Sequence, residues 1–132
     1  MIKKLIFIMC FVPFPVFADE LKVLPSIYVD NEIRENLIKY PEIIDNGYVL
    51  IEEERIAKLF FSPIPPDVNF EIENILLFSW SGSGQDEIEH NRDEDGIYNF
   101  VYKRGLTKDL VNHIKIYVLK KNDKFLFHRV LN

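Results

Sequence analysis

Ile75-Leu76-Leu77-Phe78-Ser79-Trp80, followed by Ser81-Gly82-Ser83-Gly84-Gln85-Asp86, is the stretch on which the fold turns. A strand with one face in water alternates apolar and polar residues. Residues 75–80 are apolar at all but Ser79, so both faces of this strand must be covered. The run predicts a central buried strand, broken by Gly82-Ser83-Gly84. Downstream the pattern stays strand-like. Residues 86–90 alternate about Ile88, and Asp95-Gly96 signals a hairpin turn. Residues 97–103 place Tyr98, Phe100 and Tyr102 on one side, and residues 104–109 read as a loop. Residues 113–120 carry Ile114, Ile116 and Val118 inward. Asn122-Asp123 turns the chain, and residues 125–131 set Phe125, Phe127 and Leu131 on one face.

Upstream the signals are mixed. Residues 21–24 alternate as a short strand ended by Pro25. Asp30-Asn31 caps a helix on which Ile33, Leu37 and Tyr40 share a face, and Pro41 stops it. Asn46-Gly47 is a turn, and residues 48–51 form a strand. Residues 52–60 then form a short helix whose leading glutamates suit the positive end of the helix dipole. Ser62-Pro63-Ile64-Pro65-Pro66 is a stiff connector. The fold class expected is α+β, mostly β: an antiparallel sheet or small sandwich with one or two short helices in the N-terminal half. Phe60, Phe61, Phe70, Phe78, Phe100, Phe125 and Phe127 are core candidates, while Tyr28, Tyr40, Tyr48 and Tyr117 are candidates for an exposed binding face.

The chain has 132 residues, 48% hydrophobic and 14% aromatic, which allows one domain and excludes a disordered chain. It is too short for a Rossmann or barrel enzyme. Lys3 and Lys4 precede an apolar run over residues 5–12, and Val16-Phe17-Ala18 resembles a cleavage site before Asp19-Glu20. Residues 1–18 are therefore expected to be a cleaved signal peptide, leaving residues 19–132 as a single β-rich domain in the periplasm or outside the cell. Pro13 and Pro15 leave the apolar run too short for a membrane span. Cys10 lies inside that run after Ile8-Met9, which does not fit a lipoprotein site. The mature chain would hold no cysteine, which excludes cysteine catalysis and Cys-ligated zinc. The net charge of −5 falls by two more units when Lys3 and Lys4 leave. Nucleic acid and anionic membranes both call for a basic surface, so neither is an expected partner.

The loop around Ser83 combines glycines with Trp80, Gln85 and Asp86. It is read either as a plain glycine turn or as a recognition loop exposing backbone N–H groups. The G-x-S-x-G spacing of a nucleophile elbow and the Gly-Lys-Ser/Thr of a phosphate loop are both missing. Arg104 and Asp109 are placed to pair with each other, and His113 opens the next strand. A triad of Ser83, His113 and Asp86 or Asp109 can be written down, but nothing in the spacing supports it. Asn91-Arg92-Asp93-Glu94-Asp95-Gly96 begins like a calcium loop. Its twelfth position is Tyr102 in place of Glu, so a solvated acidic turn is expected. No catalytic residue, metal or cofactor is assigned. Trp80, Ser83, Gln85, Asp86, Arg104, Asp109 and His113 are the expected binding residues.

Val68-Asn69-Phe70, the block from Ile75 to Asp86, and Arg104-Gly105-x-Thr107-x-Asp109-Leu110-x-x-His113 with Tyr117 following share a pattern with a known group. They resemble small exported bacterial proteins of unknown function that carry a W-x-G-S-G-x-D motif. More distantly, the order of elements is similar to exported domains that stabilise a protease complex. Those continue with Gly-Gly-Tyr, where this chain has Gln85-Asp86-Glu87. The resemblance implies a compact β-rich binding or accessory module of the cell envelope. Together with the site residues, it leads to the expectation of a non-enzymatic module whose partner is an envelope or secreted protein. An enzyme inhibitor or immunity protein is the alternative, since an acidic surface suits a basic cleft. A small hydrolase or calcium-binding protein is the third reading.

Overall fold

The computed structural model describes residues 21–129. The expected leader over residues 1–18 and the inward position of Leu131 lie outside the described residues. The elements run β1 (Lys22–Leu24), a 3-10 turn (Ser26–Tyr28), α1 (Asn31–Leu37), α2 (Pro41–Asn46), β2 (Tyr48–Ile51) and α3 (Glu54–Ala57). They continue with β3 (Glu73–Gly82), β4 (Glu87–Arg92), β5 (Tyr98–Lys103), β6 (Val111–Lys120) and β7 (Phe125–Arg129). This is a mostly β, α+β fold. No helix among the described residues is long and apolar enough to cross a membrane.

The helices start and stop for local reasons. Asp30 caps α1 by accepting from Ile33 N at 2.9 Å. Pro41 does two jobs. It cannot continue α1, and it sits at the first turn of α2, where a missing N–H costs nothing. The expectation of one or two helices missed α2 because Pro41 was read only as a stop. Gly47 ends α2 with φ 84, and its N–H reaches Ile43 O at 2.8 Å. The helix expected over residues 52–60 shortens to Glu54–Ala57.

Four strands form one antiparallel sheet in the order β1-β6-β3-β2, and three form another in the order β4-β5-β7. The helices cover one face of the four-stranded sheet and the three-stranded sheet covers the other. This explains the apolar run. Ile75 and Leu77 point to the helices, joining Val49, Ile51, Ile116, Val118, Phe60 and Phe61. Leu76 and Phe78 point to the second sheet, joining Ile88, Tyr98, Phe100, Tyr117 and Leu119. Ile75 to Phe78 are all fully buried. Tyr117 corrects one expectation: it is 1% exposed because β6, like β3, has both faces covered. Tyr28, Tyr40 and Tyr48 are half-buried against the two cores rather than gathered on an exposed face.

Three connections cross between the sheets. Residues 83–86 lead from β3 to β4, residues 104–110 lead back from β5 to β6, and residues 121–124 lead from β6 to β7. The last looks like a hairpin turn, with Asp123 N on Lys120 O at 2.9 Å. It is not one, because β1 and β3 already occupy both edges of β6. β7 crosses over and lies parallel to β5, the one parallel ladder in the molecule's described part. The true hairpin joins β4 and β5 at Gly96, which has φ 79. There Asp93 accepts from Asp95 N at 2.9 Å and Ile97 N at 3.0 Å. These bonds, the Ile97 one foremost, hold the Asp93 carboxyl below its usual range. Its carboxylate stitches the turn. Among the described residues, no three His, Cys, Asp or Glu side chains gather as a metal site.

Candidate functional site

The first two crossings leave the sandwich at the same end, side by side, and Asp86 ties them together. It is 6% exposed. Tyr102 OH donates to its Oδ2 at 2.6 Å and Trp80 Nε1–H to the same oxygen at 3.2 Å. Gly105 N–H donates to Oδ1 at 2.6 Å. Burial pushes the Asp86 carboxyl up. The bonds from Tyr102, Gly105 and Trp80, with the charge of His113, outweigh it and leave the group below its ordinary value. The Tyr102 phenol is pushed the other way, to about 12, by its burial and by the carboxylate it serves.

The surrounding residues repeat the tie. Gly84 N–H donates to Asp109 Oδ1 at 3.1 Å, Leu106 N–H to Gln85 Oε1 at 3.3 Å, and Ser83 Oγ meets Thr107 Oγ1. Bonds from Thr107 and Gly84 lower the Asp109 carboxyl. Trp80 and His113 face each other across β3 and β6, their rings stacked at 4.7 Å and 12°. His113 Nε2 lies 2.7 Å from Ser83 O. A carbonyl only accepts, so Nε2 carries the proton. The loops approach closely enough to require glycine. A Cβ at Gly82 would collide with Asp86 Oδ2, and one at Gly105 with the backbone of Gln85.

All seven expected binding residues therefore meet at one end of the sandwich, with different parts to play. Trp80, Asp86 and His113 form the floor. Asp86 has both oxygens engaged within the chain, so it positions the loops and is not free to meet a ligand directly. Gln85, Asp109 and Ser83 lace the loops. The expected Arg104–Asp109 pair does not form among the described residues: Arg104 is exposed, and Asp109 accepts from Gly84 instead. Among the described residues Arg104 forms no ion pair with Asp86 either, and three uncharged donors, Tyr102, Trp80 and Gly105, hold the carboxylate instead. The triad on paper does not assemble, since His113 addresses the carbonyl of Ser83 and the Ser83 hydroxyl bonds to Thr107 and Gln85 N.

Several participants were not singled out in the sequence. Tyr102 was read as a strand residue sharing a side with Tyr98 and Phe100, and as the misfit at the twelfth position of a calcium loop. Its signal was a phenol at the last inward position of a strand, where a polar tip can reach a loop. Leu106 and Leu110 stand out only as apolar residues in an otherwise polar loop. They are 92% and 79% exposed and flank an open cleft of about 810 Å3 with Arg104, Thr107 and Lys108. What the arrangement offers is a braced platform presenting aliphatic side chains beside charged ones.

Because the native Asp86 carboxyl is lowered, the unfolded chain binds its proton more tightly than the native one does. Its contribution to stability is full above the unfolded value, about 3.9, and is lost as pH falls from there through the native value. Urea midpoints between neutral pH and about pH 2.5 should drop most steeply below about pH 4. Asp86→Asn should flatten that drop. An unchanged slope in the variant would assign the acid lability to the other lowered carboxyls, Glu89, Asp93 and Asp109.

No family model, no curated protein and no solved structure matches this chain.

Proposed function

We propose that this chain is a non-enzymatic binding module, exported to the periplasm or beyond, that docks a partner protein on the end where residues 83–86 and 104–110 meet. One observation carries the reading. Two leucines stand exposed on a loop held to residues 83–86 by four hydrogen bonds. Exposed aliphatic residues on a braced loop lose little conformational freedom on binding, so burying them favours association. Val111, 38% exposed, extends the patch onto β6. Arg104 and Lys108 supply a charged rim that suits orientation and selectivity.

The test immobilises the chain and passes an envelope extract over it, beside a Leu106→Ala, Leu110→Ala variant. Burial of two leucines is worth about 3 kcal/mol, so the variant should hold its partner about a hundredfold more weakly while melting as the parent does. A protein retained equally by both would move the site elsewhere. Retention of nothing would sink the protein-binding reading.

A further inference from the structure

The outer end of β3 has an open edge. β2 pairs with β3 only as far as Tyr48↔Phe78, with a last bond from Ser79 N to Gly47 O at 3.3 Å. The alternation of an antiparallel ladder turns the N–H and C=O of Ser81 to the same side as those of Ser79. Among the described residues no strand follows there. In place of one, a groove of about 370 Å3 runs between α2 and β7. Trp80 and Phe127 line it on one side and Ile43 and Ile44 on the other, with Ile44 62% exposed. Arg129 closes it. Its guanidinium lies 5.4 Å from the Phe127 ring centre and rests against Gly47, whose missing Cβ leaves the room. Among the described residues no carboxylate forms an ion pair with Arg129.

An unpaired strand edge offers a donor and an acceptor at strand spacing, which an extended backbone matches and a compact small molecule does not. The apolar walls suit alternate side chains of such a segment. The unpaired guanidinium over an otherwise uncharged groove selects for a carboxylate. We infer that this groove takes an extended segment of a partner protein as an added strand on β3, with an acidic side chain against Arg129. The residue opposite Ser81 exchanges both backbone hydrogen bonds with it. The Leu106 and Leu110 loop leads into β6, on the opposite flank of β3. The two surfaces adjoin at Ser81 and Tyr102, but Leu106 and Leu110 line only the cleft and Arg129 lines only the groove, so each reading can fail without the other.

Fluorescence anisotropy on the full chain tests this with labelled hexapeptides of alternating valine and threonine. One glutamate is stepped through every position, and a matching set carries lysine. Binding should appear at one or two neighbouring glutamate positions, with the lysine peptides about tenfold weaker or worse. Arg129→Gln should erase that difference. N-methylation of the amides should abolish binding on one alternate set of residues and spare the other. Leu106→Ala, Leu110→Ala should leave all of this intact. No binding at about millimolar peptide would overturn the inference. So would equal affinity for glutamate and lysine peptides, indifference to Arg129→Gln, or N-methylation that is silent at both sets.

Discussion

Asp86→Ala is expected to cost about 3 kcal/mol of folding stability, a large share of the 5–15 kcal/mol typical of a domain. The carboxylate takes three hydrogen bonds from donors on β3, β5 and the loop after β5. Bonds to a charged group contribute about 1.5–3 kcal/mol each. The simple sum overstates the loss, because Tyr102 and Trp80 are half-buried and can recover water. Gly105 N–H recovers less, since it faces the space the carboxylate filled. Tyr102→Phe deletes one of the three bonds and should cost about 1.5 kcal/mol. Urea unfolding of the two variants would show the graded order. A loss under about 1 kcal/mol for Asp86→Ala would mean that the loops hold each other without it.

Phe78→Ala is expected to cost more, about 4 kcal/mol. Phe78 is fully buried and contacts the rings of Tyr48, Phe100, Tyr117 and Phe127, at centroid separations between 4.9 and 5.8 Å. Those four rings belong to four different strands in both sheets. Truncation therefore removes apolar burial and opens a cavity where the sheets meet, and neither sheet can close it without shifting the other. Leu106→Ala, at 92% exposure, should stay within about 0.5 kcal/mol. Chemical denaturation separates the two outcomes. A Phe78→Ala loss below about 1.5 kcal/mol would show that the sandwich interior repacks freely.

These two side chains also divide what was legible from what was not. Phe78 was readable as core because its neighbours in sequence are apolar on both sides of the pleat, a pattern that only a doubly covered strand tolerates. The strand extends to Gly82 rather than stopping at Trp80, since β6 pairs along its whole length. Asp86 was readable as important but not as buried. Its burial depends on Tyr102 and Gly105, many residues away, and no local pattern announces that a second loop will land on it.

By itself, the sequence determined the elements whose causes lie within about four residues: the Asp30 cap, the Asp95-Gly96 hairpin, the turn at Asn46-Gly47, and the doubly buried run through Phe78. Helix caps, turns and pleat alternation are all set by near neighbours. The tertiary structure decided the rest. It sent β7 across to lie parallel to β5, because β6 had no free edge. It brought residues 83–86 against residues 104–110, because two crossings leave the sheets at one end. It left one edge of Ser81 open beside Arg129, because β2 is four residues long and β3 is ten. Which edges are filled and which loops meet depends on contacts far apart in the chain, and those exist only once the layers have closed.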